Sequence, residues 1–449
     1  MDDTIAAIST ALGVGAISII RVSGKDSINI VNKIFKGKDL TKVDTHTIHY
    51  GHIHDNNKII DEVLVSVMLA PKTFTREDII EINCHGGIAT TNKILELLLL
   101  KGARLAEPGE FTKRAFLNGR IDLIEADGVM NLINSKNEKT RDIAINQLNG
   151  NVSNLIKDLR SKLVSIISNI EVNIDYPEYE DIEVVTNEKI LPEIISLKKE
   201  LTKVIKESEN GKLLNTGINV GIIGKPNVGK SSLLNSLLEE NKAIVTDIEG
   251  TTRDIVEGTI NLDGLILNII DTAGIRNTNN IVEKIGVDKS KEIIKSSDLI
   301  IMVLNNNEKI TKEELEIINN IKNKPHIIVI NKIDLEDKLT LSPTLNPIKI
   351  SIKDNIGIDK IKEEIKRIFN LDSINTNDLT YLTSARSISL LKKSLSKINE
   401  SISNINNNSP IDIVELDLKN AWDILGEIIG VTYTDELIDE LFSRFCLGK

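Results

Sequence analysis

The sequence predicts a multidomain protein of mixed α/β and α class: an N-terminal α+β domain, then a discontinuous helical domain into which a nucleotide-binding domain with a mainly parallel sheet is inserted. Three observations carry this. Strand and helix signals alternate from Ile218 to about residue 370, the rhythm of a parallel βαβ sheet. A glycine-rich loop with phosphate-binding spacing opens that stretch. Apolar residues recur at helical spacing on both sides of it, over 121–209 and over 383–429. A length of 449 residues also asks for about three domains, at a soft prior of ~150 residues each.

In chain order, residues 1–118 form the α+β domain. Strand-like runs at Gly15–Val22, Glu62–Leu69 and Ile79–Cys84 interleave with helical stretches at Ser27–Ile34 and Thr91–Lys101. Residues 119–213 are the first part of the helical domain, three helical runs punctuated by Pro177 and the acidic stretch Glu178–Glu183. Residues 214–376 are the inserted domain. After the polar linker Asp372–Asp378, residues 377–449 supply two more helices, Thr383–Ile405 and Ile411–Ile429. Packing these against the helices of 121–209 is the simplest way to bury their apolar faces.

Composition narrows the class further. Hydrophobic content of 41% and charged content of 27% suit a soluble globular chain. Sixty-six acidic residues against 55 basic ones give −11. No uniform basic face advertises nucleic acid, so RNA would enter through a local patch or a basic partner. Two distant cysteines, Cys84 and Cys446, make a disulfide framework improbable and fit a reducing cytoplasm. The start lacks a basic n-region, and no apolar run reaches the ~18 residues of a membrane span. His46, His49, His52 and His54 invite a metal reading, but the spacing is mixed and only Asp55 is near, so they read as exposed strand histidines.

The chemistry concentrates in the inserted domain. Gly224-Lys225-Pro226-Asn227-Val228-Gly229-Lys230-Ser231 fits G-x-x-x-x-G-K-[ST], directly after the strand Ile218–Ile223 and before the helix Ser232–Leu238. Its glycines let backbone N–H groups close around phosphate oxygens at a helix N-terminus. Lys230 is placed to reach the β- and γ-phosphates, and the Ser231 hydroxyl to ligate Mg²⁺. Asn331-Lys332-Ile333-Asp334 follows the apolar strand His326–Ile330. The Asp334 carboxylate can accept both guanine donors, N1–H and the 2-amino group, a pair adenine lacks, which selects GTP. Ser351-Ile352-Lys353 stands where a Ser-Ala-Lys loop would complete the base pocket; a backbone N–H makes that contact, so isoleucine is tolerated.

Between these motifs, Asp271-Thr272-Ala273-Gly274 ends the strand Leu267–Ile270 and reads as switch II. Asp271 stands behind the Mg²⁺, and Gly274 offers an N–H to the γ-phosphate. Gly250-Thr251-Thr252-Arg253-Asp254 is the switch I candidate, with Thr252 a second Mg²⁺ ligand. Ile275 follows switch II, so the water-positioning glutamine of Ras-type enzymes is missing. Asn227 can hold a monovalent cation where an arginine finger places its charge. Glu283 either orients the attacking water or is simply solvent-exposed.

Taken with its two ends, the chain resembles the MnmE (TrmE) family of tRNA modification GTPases. The tail Phe445-Cys446-Leu447-Gly448-Lys449 resembles that family's terminal Cys-x-Gly-Lys. Asp3-Thr4-Ile5-Ala6, Arg21-Val22-Ser23-Gly24, His85-Gly86-Gly87 and the segment Pro108–Gly119 look like the same family. The match runs through essentially the whole chain in order. Ser384-Ala385-Arg386-Ser387 and Thr10-Ala11-Leu12 depart from the family pattern, but neither touches the nucleotide motifs.

The resemblance implies a tetrahydrofolate-binding N-terminal domain and a K⁺-dependent homodimer of GTPase domains. It also implies an FAD-dependent, NADH-using partner of the MnmG type, acting with the chain on the wobble uridine of certain tRNAs. The one-carbon unit would come from methylene- or formyl-tetrahydrofolate. It assigns GTP contacts to Gly224, Asn227, Val228, Gly229, Lys230, Ser231, Ser232, Thr246, Asp247, Ile248, Glu249, Gly250, Thr251, Thr252, Asp271, Thr272, Ala273, Gly274, Asn331, Lys332, Asp334 and Ser351. It implies K⁺ at Asn227, Thr246, Ile248 and Thr251, Mg²⁺ at Ser231 and Thr252, and water orientation by Glu283. Arg21, Glu81, Arg120 and Lys449 correspond to folate contacts, and Cys446 to a residue with an ascribed catalytic role.

Read from the residues alone, strand alternation puts Glu81 on a polar face, where its carboxylate can pair with a pterin's ring N–H and amino group. Arg21 and Arg120 either meet folate's anionic tail or are solvated surface arginines. Cys446 is either an exposed thiol or a small buried hydrophobe. Three functions stand open at this point: a tRNA-modifying GTPase, an assembly GTPase with no other chemistry, and a GTP-binding scaffold.

Overall fold

The computed structural model of the chain describes residues 3–175, 187–240, 256–262, 265–270, 292–342, 345–369 and 381–448. Contacts group the chain into two compact units, Met1–Met130 with Gln147–Leu197 and Lys393–Lys449, and Asn131–Asn146 with Lys198–Lys392.

The first unit holds a seven-stranded sheet in the order β3-β4-β5-β6-β2-β1-β7. These strands are β1 (Ile5–Ile8), β2 (Ile17–Ser23), β3 (Phe35–Lys36), β4 (Thr47–Asp55), β5 (Lys58–Met68), β6 (Ile79–His85) and β7 (Arg104–Leu105). One face buries Ile20, Val22, Val63, Val65, Val67, Ile80 and Ile82 with helix residues Ile94, Leu97 and Leu98. The alternation that hides Ile80 and Ile82 turns Glu81 to the opposite face, and the β2–β6 register sets Arg21 directly across from it. The helices Ser27–Asn32 and Ile88–Leu100 lie where periodicity predicts. β1, β3, β4 and β7 escape that analysis: β3 and β7 are two residues long, β1 is four, and β4 breaks alternation with Gly51 and its histidines. Gly51 is required there, because a Cβ would run into the Phe35 ring.

The segment Pro108–Gly119 contains the helix Glu110–Leu117, which buries a charged knot. Arg114 is 1% exposed. Its guanidinium meets Asp3 at 2.8 Å, Glu77 at 3.1 Å and Glu110 at 3.1 Å. Arg104 donates to Asp3 and Glu110 as well, so three carboxylates share two arginines. Removing the buried cation strands those carboxylates, which typically costs ~3–5 kcal/mol. Arg114→Met is therefore expected to lower the urea midpoint of this unit sharply; an unchanged midpoint would contradict the assignment.

Four helices occupy the stretch after this domain, where periodicity alone suggests three: Leu123–Asn134, Glu138–Leu148, Asn151–Asp175 and Asn187–Thr216. The extra breaks are local chemistry. Asn137 accepts from the Thr140 N–H at 2.9 Å as an N-cap, and Gly150 takes φ +75° between the second and third helices. The helical domain is discontinuous: Asn151–Asp175 packs along Ile411–Ile429, with Arg160 stacked 4.1 Å over Trp422 and Lys419 paired with both Glu171 and Glu415. A further helix, Asp435–Ser443, is capped by Thr434 and seats Ile438 and Phe442 against Phe116 and Leu123.

The second unit contains a six-stranded sheet, β13-β12-β11-β8-β10-β9. Its strands are β8 (Ile218–Ile223), β9 (Val256–Leu262), β10 (Leu265–Ile270), β11 (Leu299–Asn305), β12 (His326–Asn331) and β13 (Ile348–Lys349). All pairings are parallel except β9–β10. Every residue of β11 is buried, as expected of a central parallel strand covered on both faces. Among the described residues no helix is long and apolar enough to cross a membrane.

Candidate functional site

The phosphate loop leaves β8 at Gly224 and enters the helix Lys230–Glu240. Gly224 takes φ +148°, and a Cβ there would overlap the Val303 carbonyl oxygen of β11. Gly229 takes φ +103°, and its Cβ would overlap the Asn331 amide. Both glycines are thus fixed by backbone geometry and by neighbouring strands. Lys230 donates to the carbonyls of Gly224 (2.8 Å) and Lys225 (2.6 Å), folding its stem back over the loop. Burial pushes the Lys230 ammonium below its ordinary pKa. A half-buried cation whose partners among the described residues are carbonyls is a site that an anion completes, which is the chemistry a phosphate supplies. Ser231 opens the same helix, and Asn227, exposed and at φ +61°, stands at the crest of the loop.

β12 delivers the base-recognition loop to the same place. Asn331 donates to the Val228 carbonyl at 2.8 Å and accepts from the Ile352 N–H at 3.3 Å, tying three loops together. Lys332 takes φ +65° and donates to the Asn227 carbonyl at 2.7 Å. Asp334 is exposed, with one carboxylate oxygen 3.1 Å from the Ser351 hydroxyl, which also lies 2.9 Å from Asp354. The structure therefore gathers Gly224, Asn227, Val228, Gly229, Lys230, Ser231, Asn331, Lys332, Asp334 and Ser351 around one loop system. Sequence reasoning missed Glu314, which pairs with Lys225 at 3.0 Å beside the phosphate loop; only its capping-box spacing from Thr311 marked it, as a helix start. Thr246, Asp247, Ile248, Glu249, Gly250, Thr251, Thr252, Asp271, Thr272, Ala273, Gly274 and Glu283 lie outside the described residues.

Replacing Asp334 by asparagine turns one of the two guanine acceptors into a donor. Each charge-assisted bond is worth ~1.5–3 kcal/mol, so GTP affinity is expected to fall by roughly 10²–10⁴-fold while xanthosine triphosphate becomes the better ligand. Competition between the two nucleotides measures this, and a retained GTP preference overturns it.

The first unit gathers the other candidates. Arg21 Nε and Nη2 both reach Glu81 Oε1 at 2.8 Å. Arg21 also lies 5.6 Å above the Phe111 ring, and Arg120 stacks 5.2 Å over Phe74, which packs in the same apolar cluster as Phe111. Arg21 is half-buried, whereas Arg120 is exposed with the Phe74 ring beneath it. The C-terminal tail docks beside them: Gly109 N–H donates to the Cys446 carbonyl at 3.2 Å, Ser9 donates to the Gly448 carbonyl at 3.1 Å, and Arg21 Nη1 lies 3.5 Å from that same oxygen. Cys446 is an exposed free thiol. Cys84 is the buried one, its thiol pushed up by burial. Lys449 lies outside the described residues. The Phe111 and Phe74 platforms were not foreseen, although Phe111 sits in the Pro108–Gly119 segment. His49, His52 and His54 are on β4, with His49 bonded to Thr47 and His52 in edge contact with His54. Among the described residues no cluster has the makings of a metal site.

The glycine loop on a parallel sheet, with an Asn-Lys-x-Asp loop latched to it, defines a P-loop GTPase. Comparison with known proteins gives the family. Residues 4–120 match the model for the GTP-binding protein TrmE N-terminus, and residues 123–446 match that for the MnmE helical domain. The chain is 52% identical over its full length to the tRNA modification GTPase MnmE of Bacillus cytotoxicus, covering 99% of that protein. It is 51% identical, with the same coverage, to the tRNA modification GTPase MnmE of Bacillus mycoides. Among solved structures, a point variant of Aquifex aeolicus Era bound to GDP.AlF4- is 28% identical, covering 40% of this chain and 66% of that one at a TM-score of 0.25. The chain belongs to the MnmE family and is a GTPase acting in tRNA modification.

Proposed function

We propose that this chain is a K⁺-stimulated, Mg²⁺-requiring GTPase that works as a cytoplasmic homodimer with an FAD-dependent, NADH-using partner of the MnmG type. Together they form the aminomethyl or carboxymethylaminomethyl group at C5 of the wobble uridine in certain tRNAs. A tetrahydrofolate derivative, methylene or formyl, supplies the one-carbon unit, and GTP hydrolysis drives GTPase-domain dimerisation and conformational cycling. The same reading divides the chain into an N-terminal folate domain (1–118), a helical domain in two parts (119–213 and 377–449) and the inserted GTPase domain (214–376).

The observation that carries the reading is the docked tail. It sets the Gly448 carbonyl beside the Arg21–Glu81 pair of the sheet, two residues after the exposed thiol of Cys446. Because both arginine nitrogens converge on Glu81 Oε1, Oε2 is left to accept from a pterin's N–H and amino groups. When bound, the folate supplies the carbon; this chain's residues orient it, with Glu81 on the ring and Arg21 and Arg120 offering cations to its carboxylates. An assembly GTPase has no need of such a site. The decisive measurement is mass spectrometry of tRNA nucleosides from cells lacking the gene, with and without a plasmid copy. Loss and restoration of wobble C5-aminomethyl uridines support the proposal; unchanged nucleosides defeat it.

Asn227 supports the cation reading, since its side chain is exposed at the loop crest where an arginine finger would place charge. A finger is worth roughly 10³–10⁵ in rate, so a K⁺ supplying part of that charge should raise GTP turnover in KCl over NaCl by at least about tenfold. Equal rates in the two salts rule it out.

A further inference from the structure

Net charge is distributed unevenly along this chain. Residues 1–118 carry 14 basic and 14 acidic side chains, so the whole −11 belongs to the remainder. Within the neutral part, residues 25–42 hold five lysines (Lys25, Lys33, Lys36, Lys38 and Lys42) against two aspartates, Asp26 and Asp39. Folding adds a sixth. Lys101, at the end of the helix Ile88–Leu100, and Lys33, at the end of Ser27–Asn32, line one open groove with Asp26, Asn29 and Asn32. Lys36 and Lys38 follow on β3 and the turn after it. Gly37 pins that turn, since a Cβ between the two lysines would collide with the Phe35 ring.

We propose that this lysine-edged groove is where the chain contacts the phosphate backbone of its tRNA; the inference rests on the tRNA reading of the protein. Lys33, Lys36, Lys38 and Lys101 are all exposed, and their ammonium groups make no ion pair or hydrogen bond among the described residues. A lysine at a helix C-terminus has a plain structural use, complementing the helix dipole for ~0.3–1 kcal/mol. That accounts for Lys33 and Lys101. It does not account for Lys36 and Lys38, which stand on a strand and a turn. Four exposed ammonium groups, Lys33 and Lys101 in the groove and Lys36 and Lys38 following in sequence, outnumber the groove's one carboxylate, Asp26, and match phosphodiester oxygens. The absence of arginine from 25–42 suits backbone positioning in place of bidentate base reading. The acidity of the rest of the chain would then keep RNA off other surfaces.

The test uses the full-length protein, fluorescently labelled unmodified tRNA and a salt series. Each neutralised phosphate contributes roughly 0.7–0.9 to the slope of log K against log salt. Replacing Lys33, Lys36, Lys38 and Lys101 together by alanine should lower that slope by about 3 and weaken binding at least about tenfold near 0.1 M KCl. Replacing the same four by arginine should retain both values, and tRNA-free GTPase activity should be unchanged in both variants. An alanine variant that binds with wild-type affinity and slope overturns the proposal. So does a wild-type chain without salt-dependent tRNA binding, an outcome that leaves nucleoside analysis to judge the modification reading separately. Retained tRNA affinity with lost co-sedimentation of the flavoprotein partner would also overturn it, making the groove a protein-docking face.

Discussion

Lys230→Ala leaves a folded protein that hydrolyses GTP at least about 10²–10³-fold more slowly, the usual loss when one preorganised charge donor is removed from a developing anion. The size of the effect follows from where the side chain sits. Lys230 is half-buried, burial holds its ammonium below the ordinary pKa, and its partners are two carbonyls of the loop itself. Those neutral acceptors only partly offset the desolvation, so an incoming triphosphate gains more from this lysine than from any exposed one. The fold does not depend on it to the same degree, because Gly224 and Gly229 shape the loop through backbone contacts that the substitution leaves alone. Single-turnover hydrolysis and binding of a fluorescent GDP analogue should separate the two contributions, with the rate falling further than GDP affinity, since the γ-phosphate is present only in GTP. A variant that turns over within a few-fold of wild type would mean that Lys230 remains on the loop carbonyls in the nucleotide complex.

The nucleotide loops were legible because their function is written in local sequence. A glycine pair, a lysine and a serine must be contiguous to wrap a phosphate, and Asn331–Asp334 must end a strand to face the base. The latch between them was not legible: Asn331 bonding both Val228 and Ile352 requires that three segments meet, which no spacing rule states. The same division runs through the first unit. Strand alternation set Glu81 on the polar face, and the structure puts it there, but the partner across the register, Arg21, came from pairing and not from pattern. Arg120 reads from sequence more readily as a solvated surface arginine, and it is exposed; the Phe74 ring beneath it carries no sequence signal. The fourth helix before β8 and the helix Asp435–Ser443 were lost for a different reason. Their boundaries depend on Asn137, Gly150 and Thr434, single polar or glycine residues that resemble ordinary surface positions until their caps are known.

Gly448→Val separates the two activities. Gly448 takes φ +84°, a left-handed conformation that a β-branched residue adopts only at a cost of ~1–2 kcal/mol. A Cβ there would also overlap the Ile8 carbonyl oxygen at the end of β1 and crowd Ser9 Cα just after it at 2.9 Å, both backbone atoms that cannot yield as a side chain would. Against this stand few anchors: the Ser9 hydroxyl and Arg21 on the Gly448 carbonyl, and Gly109 N–H on the Cys446 carbonyl, each contributing ~0.5–3 kcal/mol. The strain, together with overlap onto backbone atoms that cannot move aside, is expected to make the docked tail a minor state. The Gly448 carbonyl then leaves Arg21 and the Cys446 backbone leaves Gly109, and wobble-uridine modification in cells should fall by at least about tenfold, by the arithmetic of a shifted two-state equilibrium. GTP turnover by the purified protein should stay at wild-type level, because no residue of the tail belongs to the nucleotide loops. Ser9→Ala removes a single hydrogen bond to the same carbonyl and should give a milder loss of modification. The order matters as much as the size. If Gly448→Val modifies tRNA normally, the docked tail is not the working arrangement, and if both activities fall together, its effect is on folding and not on the site.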